Sequence, residues 1–203
     1  MTDAPAPPGP ILLLDVMDTL VHEPFFVELP AFFGMTLEEL LAAKHPTAWI
    51  EFEEGRLTEP EYLARFFRDG REVDGAALRA HMSAAYRWLD GVPQLLAELH
   101  AAGRPMHALS NYPVWYELIE AKLGLSARVS WSFVSCRTGV RKPDPRAYLG
   151  AAEALGVAPA DCLFGDDRAT NVDGARAVGM PALRFTGAPA LGAELVERGL
   201  LPG

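Results

Sequence analysis

Five short apolar runs punctuate the chain, at Ile11–Val16, Met106–Leu109, Val129–Ser135, Cys162–Phe164 and Ala182–Phe185. The first is continuous rather than alternating, and the others are similar short runs. That pattern suits a strand buried on both faces of a parallel sheet. Between the runs, apolar residues recur every three to four positions, over Val92–Ala102, Val114–Leu123, Pro145–Leu155, Thr170–Val178 and Ala190–Arg198. Strands alternating with amphipathic helices predict an α/β fold with right-handed crossovers and helices on both faces of the sheet.

The stretch 21–89 breaks this rhythm and offers no strand. Two capping-box signatures, Thr36-x-x-Glu39 and Thr58-x-x-Glu61, each open an apolar-periodic segment. Leu37–Ala43, Tyr62–Phe67 and Leu78–Trp88 read as helices. A small all-helical module over 21–89 is therefore expected to interrupt a core made of 1–20 and 90–203. Its aromatic residues, among them Phe25, Phe26, Phe32, Phe33, Trp49 and Phe52, are expected to form the core of that module. Met1–Pro10, rich in Pro and Ala, lacks the basic-then-apolar layout of a signal peptide and reads as a loose leader.

Composition narrows the function. The 203 residues carry a formal net charge of -9. That argues against nucleic-acid binding, which draws its affinity from basic residues. It leaves open a small anionic substrate, because a bound cation or a few local donors reverse the local field. No apolar run approaches the roughly 20 residues of a membrane helix. The two cysteines, Cys136 and Cys162, have no paired spacing and read as buried, reduced thiols of a cytoplasmic protein.

In an open parallel sheet, ligands bind beyond the carboxyl ends of the strands. The polar residues found there are Asp15-Val16-Met17-Asp18-Thr19, Ser110-Asn111-Tyr112-Pro113, Arg141-Lys142-Pro143-Asp144 and Gly165-Asp166-Asp167 with Asn171 behind. A carboxylate can attack phosphorus and form an aspartyl-phosphate. The phosphoryl group then needs cationic and hydrogen-bonding stabilisation. Asp15, Asp166 and Asp167 would repel one another unless a hard cation such as Mg²⁺ joined them. Lys142 would neutralise nucleophile and phosphate, and Ser110 and the Asn111 amide would donate hydrogen bonds to phosphate oxygens.

Asp15-x-x-x-Thr19, Ser110-Asn111, Lys142-Pro143-Asp144-Pro145 and Gly165-Asp166-Asp167-x-x-x-Asn171-x-x-Gly174-Ala175, in that order, resemble the four signature motifs of the haloacid dehalogenase superfamily. The resemblance implies a Rossmann-like three-layer sandwich with a helical cap inserted after the first strand. It implies Asp15, Ser110 and Lys142 as catalytic groups, and Ser110, Asn111 and Lys142 as the substrate phosphate site. It also implies Mg²⁺ held by Asp15, the backbone carbonyl of Met17, Asp166 and Asp167, with Asp167 favoured as the direct ligand of the acidic pair. Thr19 is expected to brace the first loop and Asn171 to orient the acidic one. The loop Asp15–Thr19, Phe32-Phe33-Gly34-Met35, Trp49–Glu53 and Asn111-Tyr112-Pro113 further resemble a group of plant plastid proteins of this superfamily associated with flavin mononucleotide hydrolysis.

One position departs from the pattern. Phosphatases of the superfamily usually carry a general acid–base aspartate two residues after the nucleophile, where this chain has Met17, and a thioether cannot transfer a proton. Asp18 is read as a turn-stabilising carboxylate and His22 as a hinge residue. They are nonetheless the first candidates to replace the missing acid. His45, His81, His100 and His107 show no metal-site spacing, and Tyr112 and Trp115 are expected in the pocket wall or in helix packing. The leading reading is a Mg²⁺-dependent phosphatase acting on a small phosphomonoester, as a monomer or homodimer. The alternatives are carbon–halogen cleavage at Asp15, for which Arg56, Arg65, Arg68 and Arg71 offer no clear halide site, and a phosphate-binding protein that has lost turnover.

Overall fold

A computed structural model describes residues 9–202; the leader expected over Met1–Pro10 lies almost wholly outside them. The chain runs β1 (Ile11–Leu14), α1 (Glu28–Phe32), α2 (Leu37–Ala43), α3 (Ala48–Glu53), α4 (Glu59–Ala64), α5 (Gly75–Ala85), α6 (Val92–Ala101) and β2 (Met106–Ser110). It continues with α7 (Tyr116–Leu123), β3 (Ser130–Val134), α8 (Ser135–Thr138), α9 (Pro145–Leu155), β4 (Cys162–Asp166), α10 (Ala169–Ala177), β5 (Ala182–Arg184) and α11 (Ala188–Glu197).

The strands form one five-stranded sheet in the order β3-β2-β1-β4-β5, and every pairing is parallel. Alternation along β1 separates two apolar layers. Leu12 and Leu14 join Leu96, Leu99, Ile119 and Leu195 on one face, while Leu13 joins Tyr148, Ala151, Phe164 and Val172 on the other. These layers place α6, α7 and α11 against one face and α9 and α10 against the other, which is the Rossmann-like three-layer sandwich. The chain steps outward from β1 through β2 to β3, then returns to lay β4 on the opposite side of β1. The strand order therefore reverses beside β1, where a parallel sheet opens its crevice.

The expected strands are all present, with shifted ends. β1 stops at Leu14, and Asp15 leaves the strand with its N–H on the Gly165 carbonyl at 2.8 Å. β3 lies at the sheet edge, so Ser130 is exposed and Trp131–Phe133 are half-buried, not covered on both faces as its apolar run suggested. Cys162 is buried, but Cys136 is half-buried, contrary to expectation; both are free thiols.

Helices α1–α5 all lie between β1 and β2. Both capping boxes form, with the Thr36 and Thr58 side chains accepting from Glu39 and Glu61 N–H. The second cap opens α4 at Glu59, three residues earlier than periodicity placed it. The Asp74 side chain accepts from Ala77 N–H at 2.9 Å and starts α5 at Gly75, again three residues early. Helices α1 and α3 have no side-chain cap and were not anticipated. The chain enters and leaves this segment as a paired ribbon, with His22 N–H on Arg87 O at 2.9 Å and Leu89 N–H on Leu20 O at 3.0 Å. Farther out, Trp115 packs edge-on against Trp49, Phe52 and Tyr62, at ring-centroid distances of 6.0, 5.6 and 5.8 Å.

Candidate active site

Because all five strands are parallel, their carboxyl ends share one edge of the sheet. Asp15 follows β1, Ser110 ends β2, Asp166 ends β4 and Asp167 follows it. Asp15, Asp166 and Asp167 each offer a carboxylate oxygen there, and the three oxygens lie within 4.8 Å of one another. Lys142 reaches into the cluster from the loop before α9. Its Nζ donates to Asp15 Oδ1 at 2.7 Å and to Asp166 Oδ2 at 2.6 Å, with the Lys142 side chain only 1% exposed.

The two neighbouring acids differ sharply. Asp166 is fully buried. It accepts from Lys142 Nζ, from Arg168 N–H at 2.8 Å and from Asn171 Nδ2 at 3.1 and 2.9 Å. Asp167 keeps a buried Oδ1 with no hydrogen-bond partner among the described residues. Ser110 Oγ is likewise buried and without a partner. Burial pushes the Asp15 carboxyl up to about 7, with Lys142 opposing that rise and Asp166 adding to it. Asp167 is also raised, first by burial and then by Asp166.

A divalent cation fits this donor set. Three carboxylates converge on one point with a single ammonium group among them, so negative charge is left unmatched. An unpartnered buried oxygen on Asp167 and a carboxylate on Asp15 held against ionisation are the groups a hard cation would satisfy.

The supporting residues take defined positions. Thr19 Oγ1 accepts from Asp167 N–H at 3.1 Å, tying the first loop to the fourth. Asn171 orients Asp166, as its motif suggested. The Asn111 side chain braces the lysine loop: its Nδ2 donates to Lys142 O at 2.9 Å and its Oδ1 accepts from Lys142 N–H at 2.8 Å.

A cavity of about 240 Å³ opens over Asp15. Met17, Asn111, Lys142 and Asn171 line it from the sheet edge, and Phe25, Phe26, Trp49 and Glu53 from the inserted segment. Arg141, Arg168 and Glu23 complete it. Burial raises the Glu53 carboxyl, while Arg141 Nη2 at 2.7 Å and Trp49 Nε1 at 2.6 Å hold it in place. The aromatic residues divide: Phe52 is buried in the core, but Phe25, Phe26 and Trp49 also form cavity wall. Asp18 is not among the lining residues; it sits in a left-handed turn (φ 53°) with Oδ1 accepting from Glu23 N–H at 3.0 Å. His22 is turned to Glu28, Nε2 to Oε1 at 2.8 Å. Tyr112 and Trp115 are buried in packing. Sequence reasoning missed Glu23 and gave no role to Arg141 or Arg168; the one available signal was their closeness to the motif residues.

Fold and sheet-edge cluster together define a haloacid dehalogenase-like hydrolase. The model of that family matches residues 12–179, and the chain belongs to it. Flavin mononucleotide hydrolase 1 of Arabidopsis thaliana, designated chloroplastic, is 50% identical over 94% of this chain and 78% of its own. Phosphatase MT3486 of Mycobacterium tuberculosis is 61% identical over 59% of this chain and 56% of its own. Phosphoglycolate phosphatase of Xylella fastidiosa is 31% identical over 61% of this chain, which spans about half (49%) of that relative. Among solved structures, a family enzyme of Bacteroides thetaiotaomicron in its magnesium complex superposes with a TM-score of 0.69 at 18% identity, covering 87% of this chain and 93% of that one. L-2-haloacid dehalogenase of Xanthobacter autotrophicus gives 0.64 at 22%, covering 96% and 85%. No helix among the described residues is long and apolar enough to cross a membrane.

Proposed function

We propose that this hydrolase is a Mg²⁺-dependent phosphatase that cleaves a small phosphomonoester through a phosphorylated Asp15. The observation that carries the reading is the position of Lys142, bonded at once to Asp15 and Asp166 and facing the same cavity as both Asp15 and Asn171. The residues 21–89 act as its cap, since Phe25, Phe26, Trp49 and Glu53 share that cavity with Asp15. A lid of this kind excludes water and strengthens the charge interactions beneath it.

The geometry supports the following roles. Asp15 attacks phosphorus with its free carboxylate oxygen while Lys142 holds the other. Lys142 also offsets the charge that builds on the phosphoryl oxygens. Ser110, whose hydroxyl has no partner among the described residues, donates to one of those oxygens. Asn111 fixes the Lys142 backbone, and Asn171 and Thr19 fix the acidic loop. Mg²⁺ would be held by Asp15, the Met17 carbonyl, Asp166 and Asp167, with Asp167 the more direct of the acidic pair because its Oδ1 has no partner among the described residues. When bound, it neutralises the phosphate and the acids together.

Flavin mononucleotide is the first substrate to test, from the likeness to the Arabidopsis hydrolase over nearly the whole chain. Three aromatic side chains in the cavity wall suit a planar ring system. The protein is expected to act as a monomer or homodimer in the cytoplasm, without nucleic acid or membrane. Carbon–halogen cleavage is less favoured. Arg56, Arg65, Arg68 and Arg71 all lie outside the cavity wall, and the three converging acids call for a cation that such chemistry does not use. A panel of phosphate esters and 2-haloacids, assayed with and without Mg²⁺, tests the reading. Mg²⁺-dependent phosphate release supports it; halide release or binding without turnover overturns it.

A further inference from the structure

Resting on the phosphatase reading, we infer that Glu23 is the general acid–base of the reaction, taking over from the inserted segment the task that Met17 cannot perform. Glu23 lines the cavity that Asp15 and Met17 also line, and neither Asp18 nor His22 does. Its position is fixed from both sides. Its N–H is held by Asp18 Oδ1 at 3.0 Å, and its Oε1 accepts from Phe25 N–H at 3.1 Å. Its other oxygen is left to carry a proton.

The surroundings suit proton transfer. Burial pushes the Glu23 carboxyl up to about 8, opposed by the Phe25 N–H; Asp18 and Glu53 add to the rise and Arg168 opposes it. Lys44 and the hydroxyls of Tyr86 and Tyr112 are the other ionisable groups that feel its charge. A carboxyl protonated at neutral pH is a competent acid, and a value close to ambient pH lets it return as a base.

The step balances. An Asp15 oxygen bonds to phosphorus as the bond from phosphorus to the ester oxygen breaks, and the Glu23 proton passes to that oxygen, releasing the alcohol. The Glu23 carboxylate then takes a proton from the water that attacks the aspartyl-phosphate. Phosphate departs, and Asp15 and protonated Glu23 are restored.

The test compares wild type, Glu23→Gln and Asp15→Asn on an aryl and an alkyl phosphate of similar size, with Mg²⁺ present. General acid help matters little for a phenolate and much for an alkoxide. Glu23→Gln is expected to lose about 100-fold more rate on the alkyl ester than on the aryl ester. Equal losses on both esters would overturn the inference and leave the phosphatase reading standing. No Asp15-dependent hydrolysis of either ester by wild type would overturn both. Thermal unfolding of metal-free protein supplies a readout apart from turnover. A carboxyl raised from the ordinary 4.5 to about 8 makes the fold bind more protons than the unfolded chain across that interval, so wild type loses stability as pH rises through it. Glu23→Gln should lack that loss, and its melting temperature should gain on wild type between pH 5 and pH 8. A constant difference would contradict a protonated Glu23.

Discussion

Asn111 grips the backbone of Lys142 at two points, 2.9 Å at the carbonyl and 2.8 Å at the N–H. The end of β2 thereby sets where the ammonium group of a separate loop must sit. The pair spans 31 residues of sequence, so no local preference of the lysine loop replaces it. Displacing a catalytic group by about 1 Å can cost roughly 100-fold in rate. Asn111→Ala is therefore expected to lower kcat by about 10- to 100-fold. In the double variant Asn111→Ala/Lys142→Ala, the second change should add little to the loss from Lys142→Ala alone, since both act through one ammonium group. Steady-state kinetics of the three variants checks this; fully additive losses would mean that Asn111 acts separately.

Mg²⁺ should stabilise the folded protein through the acidic cluster. A ligand at 100 times its dissociation constant contributes about 2.7 kcal/mol. For a domain of this size that corresponds to a rise of roughly 5–10 °C in Tm. Asp167→Asn, at the oxygen that has no partner among the described residues, should remove most of that rise and most of the activity. Differential scanning calorimetry with and without Mg²⁺ measures it, and an undiminished rise in Asp167→Asn would place the cation elsewhere.

Lys44 gives a pH prediction at a cation beside the cavity wall, outside the acidic cluster. It is buried under the inserted helices with its Nζ 4.4 Å from the Phe25 ring centroid. Burial lowers it from 10.5 to about 8, against the pull of Glu53 and Glu23. Between those two values the folded protein binds fewer protons than the unfolded chain, so wild-type stability rises with pH across that interval. Below pH 8 the cost of burying the charge is present in full. Lys44→Met should therefore be more stable than wild type at pH 7 by about 1 kcal/mol, once the lost cation–ring contact is subtracted. Its advantage should shrink as pH climbs from 8 to 10.5. Urea unfolding at pH 7 and pH 10 decides this; an advantage that grows with pH would show that the lysine is favourably charged in the fold.

Much of the architecture was legible because burial and capping leave local marks. Leu12, Leu13 and Leu14 face both apolar layers, which is why β1 reads as an unbroken run. Thr36 and Thr58 announce their helices because each satisfies a backbone N–H that would otherwise lack a partner. Helices α1 and α3 leave no such mark: neither has a side-chain cap, and at five and six residues each is too short to show a helical period. Strand β3 carries Ser130 and Ser132 between its apolar residues, a mark of partial exposure that fits its place at the sheet edge. In the site, Asp15, Ser110, Lys142, Asp166 and Asp167 were legible because a parallel sheet gathers whatever follows its strands. The direction of Asn111 and the presence of Glu23 were not. Each depends on how a loop folds back, through the Lys142 backbone in one case and through Asp18 and Phe25 in the other.

The central claim is that Asp15 takes the phosphoryl group. Incubation with a radiolabelled phosphomonoester, rapid acid quench and peptide mass spectrometry tests it. Wild type should carry a phosphate on Asp15 that is stable in acid and released by hydroxylamine, and Asp15→Asn should carry no label and show no turnover. An unlabelled Asp15 during steady hydrolysis, or sustained activity in Asp15→Asn, would contradict it.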